Sequence, residues 1–192
     1  IGGIFTNRRG GDEAVPSFID GCLSDLLNDN EIDVKLGALK SIAESGIVIN
    51  AASKNLRELI IDDNKNDIDE DTGCKTPHKI SWRMRKNIAE LIPKMASKVD
   101  QNQFEKLKLI EIVKLLILDD ADNVRRATVE ALKQLSSKYG EDWTNKVVVP
   151  IVNDCFFKTK NDYNLRKTAV EAAITLRLKD GCKDLLKAAV SD

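Results

Sequence analysis

The sequence predicts an all-α chain in which helical hairpins stack into one curved array, an α-solenoid. Two observations predict it: a short phrase written four times, and helical periodicity around each copy. The phrase is an apolar residue, a basic residue and an apolar stretch. It begins at Val34-Lys35, Met84-Arg85, Val124-Arg125 and Leu165-Arg166, with starts 50, 40 and 41 residues apart. A period of about forty residues made of helical units marks stacked helix pairs, because one hairpin cannot bury both of its faces alone.

The units are placed at about 15–46, 51–97, 104–140 and 143–178, with 180–192 as the start of an incomplete one. In the first, Val15-Pro16 opens a helix through Leu26-Leu27, Asn28 to Asp33 turn, and Val34 begins a second helix that stops near Ser45-Gly46. In the second, a first helix spans roughly Ala51 to Ile61. The third is the clearest. Leu107 to Leu118 carries apolar residues on more than one face, as suits a helix sandwiched between neighbours. Asp119-Asp120-Ala121-Asp122-Asn123 breaks it, since short polar side chains compete for backbone hydrogen bonds.

The second helix of that unit runs from Val124 to Lys138, with Val124, Thr128, Ala131, Leu132 and Leu135 on one stripe. Tyr139-Gly140 closes it, glycine being the residue that adopts the required C-terminal conformation cheaply. In the fourth unit, Val147 to Val152 leads to Phe156-Phe157, a turn at Lys158 to Asp162, and a helix through Leu178. Pro150 is expected early in its helix, where a missing N–H costs little.

The basic residue of the phrase has a structural role. Asp29 precedes Lys35 by six residues and Asp119 precedes Arg125 by six, so a turn carboxylate pins the next helix. Repeated with Arg85, such pairs form a ladder through stacked units. In the fourth unit Lys160 stands six before Arg166, which leaves Arg166 without its expected partner and open to an outside one.

Composition narrows the function classes. Net charge is −1, without the basic excess that neutralises phosphates, and the row Lys35, Arg85, Arg125, Arg166 lacks stacking aromatics. Nucleic acid is therefore not expected as a partner. No apolar run approaches a membrane span and no signal peptide is visible. Cys22, Cys74, Cys155 and Cys182 fall in separate units without CxxC spacing, which suits reduced thiols in the cytoplasm or nucleus. One histidine, no glycine-rich phosphate loop and no apolar carboxylate pair argue against an enzyme and a small-molecule substrate. No cofactor is implied. The start at Ile1 reads as a fragment or a processed product.

The long spacing comes from an acidic insertion at 62–80. Asp67, Asp69 and Asp71 alternate as in a calcium loop, but Thr72 stands where glycine is needed and His78 where a bidentate glutamate belongs. Cys74 with His78 supplies only two zinc ligands, so no metal is expected.

At this period the turn–Val-Arg–apolar phrase resembles a HEAT repeat. Ser81-Trp82-Arg83-Met84-Arg85, Ile88 to Pro93, Tyr139-Gly140-Glu141-Asp142-Trp143, Val149-Pro150 and Asn161 to Arg166 resemble the scaffold (A) subunit of protein phosphatase 2A. The likeness runs from about Val15 to Leu178 and is most specific between Ser81 and Arg166. It implies a non-catalytic scaffold segment of about four HEAT repeats that holds a phosphatase catalytic subunit, and other regulatory subunits, through intra-repeat turns. By position, Trp82, Arg83 and Arg166 belong to that grip, and Trp and Arg are residue types enriched at interface hot spots. Trp82 packed over its own hairpin, and Arg83 and Arg166 as solvated charges, are the competing readings; Trp143 is expected in the core. A different HEAT adaptor, such as a nuclear transport receptor or another phosphatase regulator, is the alternative function.

Overall fold

The computed structural model describes residues 22, 25–27, 29–45, 80–159, 161–178 and 181–191. The start of the first predicted helix, the predicted helix at 51–61, and the insertion at 62–79 with Cys74 and His78 lie outside them. The described residues are all-α, with no strand among them.

Residues 25–27 are helical and lead through the turn at 29–31 into α1 (Ile32–Ser45). After Ile80 and Ser81, α2 spans Trp82–Ala96. The next hairpin starts with α3 (Gln101–Lys106), which has a reciprocal cap: Gln103 N–H donates to Asp100 at 2.8 Å, and Asp100 N–H donates to the Gln103 amide oxygen at 3.1 Å. Lys108, at φ 52°, breaks the chain before α4 (Leu109–Leu116). The helix expected from Leu107 to Leu118 is α4, two residues shorter at each end, and α3 is a further short helix upstream of it.

A turn at 117–121 leads to α5 (Asp122–Trp143). Its stripe is buried as the periodicity predicts, with Val124, Thr128, Ala131, Leu132 and Leu135 all inside. Gly140, at φ 85° and ψ −177°, bends α5 sharply, a positive φ that a side chain would oppose. The chain then continues helically through a π-helical turn, Thr144–Val148, into α6 (Val149–Phe157).

Pro150 is the second residue of α6, early in its helix as expected, although the chain enters α6 through the π-turn and not from a loop. It has no N–H to continue an α-helical ladder, and the backbone just upstream is the wider π-turn. The last hairpin closes with α7 (Tyr163–Thr175), capped by the Asp162 carboxylate at 3.1 Å from Leu165 N–H. The tail forms α8 (Lys183–Ser191). Gly181 lets it approach, since a Cβ there would come within 2.6 Å of Val149.

The second helices of successive hairpins pack in series: α1 on α2, α2 on α5, α5 on α7. The first helices α4 and α6 pack against their own partners α5 and α7. One apolar core runs through this stack, from Leu27 and Leu39 to Leu185. Each buried leucine or isoleucine within it contributes about 2 kcal/mol.

At the edge opposite the turns, Phe104, Tyr139 and Trp143 form a cluster, with ring centroids 5.1 to 6.1 Å apart. Trp143 is buried, as expected. Beside it the Lys138 ammonium donates to the Ala96 carbonyl and, at 2.6 Å, to that of Val99, so the end of α2 is tied to α5. Burial, and secondarily the Asp100 carboxylate, push the Tyr139 phenol up to about 12. Because the raised value favours the neutral phenol in the folded state, its stabilisation is complete below pH ~10 and is lost between there and pH ~12. Ultraviolet titration of a Tyr163→Phe variant, which leaves Tyr139 as the only tyrosine, should show one late ionisation coincident with loss of stability. Ionisation near 10 in a folded chain would contradict the packed cluster.

Candidate protein-binding edge

Each described second helix begins the same distance before its basic residue. Ile32, Trp82, Asp122 and Tyr163 are first positions, and Lys35, Arg85, Arg125 and Arg166 are fourth. The fourth position faces back toward the turn of its own hairpin and sideways to the next one. The first position lies at the rim.

Arg85 and Arg125 are buried, each 4% exposed. Arg85 Nε and Nη2 hold the Asp119 carboxylate at 2.6 and 2.9 Å, Nη2 reaches Asp120 at 2.8 Å, and Nη1 donates to the Ile80 carbonyl at 2.7 Å. Asp119 is 1% exposed and also accepts from Ala121 N–H. Such a paired arrangement of planar groups gives both charge and orientation. Arg125 donates to the Asp119 and Asp120 carbonyls at 2.8 Å, to Asp122 at 3.1 Å and to the Thr168 hydroxyl at 2.8 Å.

The links therefore run forward between hairpins. The Asp119 carboxylate closes on Arg85 of the preceding hairpin, 34 positions away, and it is the Asp119 carbonyl that meets Arg125. The Asp29 carboxylate accepts from Glu31 N–H at 2.7 Å, and among the described residues the Lys35 ammonium makes no ion pair. Arg166 is half-buried and is engaged within the chain, so it is not the open cation that its sequence neighbours suggest.

These buried links leave other groups outward. Trp82 is 36% exposed, and the exposed Arg83 guanidinium lies 4.8 Å from its ring centroid, close enough for cation–π attraction. Tyr163, likewise the first residue of its hairpin's second helix, two hairpins on, is 69% exposed. Leu26 and Phe157, just before their turns, are also exposed. Leu26, Trp82, Phe157 and Tyr163 thus put apolar surface along one edge of the array.

Tyr163, Phe157 and the Thr168 partner were missed by sequence reasoning. The signal for Tyr163 was present, since it stands three before Arg166 as Trp82 stands three before Arg85. Among the described residues no group of three or more acidic, cysteine or histidine side chains is placed to hold a metal ion. None of the described helices is long and apolar enough to cross a membrane. The arrangement offers apolar and aromatic contact area on rigid turns. No protein-family model matches the chain, and no curated protein is similar to it in sequence.

Proposed function

We propose that the chain is a non-catalytic scaffold segment of the HEAT-repeat type, which holds a protein phosphatase 2A-type catalytic subunit along its turn edge. The resemblance of Ser81 to Arg85 and of Asn161 to Arg166 to that scaffold family suggests the partner. The observation that carries the reading is the edge itself: Trp82 and Tyr163 are exposed in equivalent positions, and the buried Arg85 beside Trp82 fixes the Ile80 carbonyl and the Asp119 carboxylate. The serial packing of second helices supports the solenoid part of the reading. Cytoplasm and nucleus are the compartments that go with it.

The test is a titration of the chain against a purified phosphatase 2A-type catalytic subunit, with Trp82→Ala and Tyr163→Ala alongside. An aromatic anchor at an interface is worth about 2 kcal/mol, roughly a thirty-fold loss of affinity for each variant. Circular dichroism should be unchanged, and melting should be unchanged for Tyr163→Ala and only modestly lowered for Trp82→Ala, whose side chain is more covered. Binding that neither variant weakens would remove the edge as the interface. A folded chain that does not bind would remove the phosphatase reading and favour a different adaptor.

A further inference from the structure

A second surface lies on the face formed by the first helices of the last two hairpins. There α4 and the π-turn with α6 face each other across a groove of ≈ 610 Å³. Its floor includes the buried Ile117 and Ile151, and its walls the half-buried Ile110 and Val147. π-turns set within α-helices are rare and concentrate at functional sites. This one places Lys146 and Val147 in the groove wall, just before Pro150, whose missing N–H does not continue an α-helical ladder.

The groove is apolar inside and cationic at its margin. Lys114, Lys146 and Lys158 border it, against one lining carboxylate, Asp154. Lys114 pairs with Glu111 at 2.9 Å and Lys158 with Asp154 at 2.8 Å, both exposed intrahelical pairs of the weak kind. Lys146 makes no ion pair among the described residues. Lys146 and Lys158 are twelve positions apart, roughly 18 Å at the helical rise, or about three turns.

We propose that this groove docks an acidic amphipathic helix of a partner protein. Apolar residues at i, i+3 or i+4 and i+7 of that helix would seat on Ile110, Val147 and Ile151, and flanking carboxylates would meet the three ammonium groups. Charge complementarity selects the partner's sign, and the apolar floor supplies the affinity. The groove reaches the turns at Ile117, Leu118, Lys158 and Thr159 but includes neither Trp82 nor Tyr163, so it is tested independently of the phosphatase reading.

The experiment uses fluorescence anisotropy of the full chain with a labelled helical peptide of about three turns, leucines on one face and glutamates on the other. The control peptide has lysine for every glutamate. The acidic peptide should bind at least ten-fold more tightly than the basic one, and less tightly as salt is raised. The double variant Lys146→Glu/Lys158→Glu should reverse the preference with unchanged melting, whereas Lys40→Glu/Lys94→Glu and Trp82→Ala should leave it intact. Equal binding of the two peptides, as a small apolar probe site would give, overturns the proposal. So does a preference that survives the Lys146/Lys158 reversal, or no binding of the acidic peptide.

Discussion

Replacing Leu132 by aspartate should cost about 4 kcal/mol or more, enough to abolish cooperative melting in a domain of ordinary stability. Leu132 is 0% exposed, on the face of α5 that lies in the continuous core. Two penalties add there: the apolar contacts of a leucine are lost, and a carboxylate is placed where no cation or donor awaits it. Thermal or urea unfolding followed by circular dichroism measures the effect. Leu132→Ala, which removes packing without adding charge, should cost about 3 kcal/mol and separates the two penalties. An unaltered midpoint for the aspartate variant would refute the helical register of α5.

Removing the Asp119 carboxylate should be nearly as damaging. Asp119→Ala leaves the Arg85 guanidinium 4% exposed and without its bidentate partner. Breaking one side of a buried ion pair costs about 3–5 kcal/mol, chiefly for the charge left behind. The lower end is expected, because Asp120 still contacts Nη2 from the solvent side at 2.8 Å. Arg85→Leu combined with Asp119→Ala removes both charges, so the double variant should be more stable than the sum of the single losses. Strict additivity in this double-mutant cycle would mean that the two groups do not act as a pair.

Much of the architecture was legible because helix geometry is local. The stripe from Val124 to Leu135 is a 3.6-residue pattern, and Gly140 occupies a backbone conformation suited to glycine, so both could be read from neighbours in the chain. The break at Lys108 was not legible, since nothing in a lysine side chain announces a positive φ. The start of α3 was legible in principle, through Asp100 and Gln103, three positions apart.

The edge was read less completely for the same reason. Trp82 and Arg83 were placed at a turn by position alone, and the structure exposes both. The six-residue spacing of Asp119 and Arg125 suggested a bond within one hairpin, but spacing measures distance along the chain only. Which carboxylate meets which arginine depends on how hairpins stack, and that put Asp119 on Arg85. Arg166 is half-buried and engaged within the chain, so a lysine six positions earlier did not decide whether the arginine is satisfied.

The two junctions around α5 are fastened differently, and this has a mechanical meaning. Between α2 and α5 there is a charged clasp at the turn edge, Arg85 with Asp119 and Asp120, and a second at the far edge, Lys138 on the carbonyls of Ala96 and Val99. Between α5 and α7 the Arg125 guanidinium meets the neutral Thr168 hydroxyl at 2.8 Å, and the open groove adjoins that junction on the first-helix side. A plate riveted by charges along two borders resists torsion more than one joined by apolar packing and a neutral contact. Load applied to this array should therefore concentrate its flexure between the third and fourth hairpins, altering the separation of Trp82 and Tyr163 and hence the size of globular partner that the edge can span.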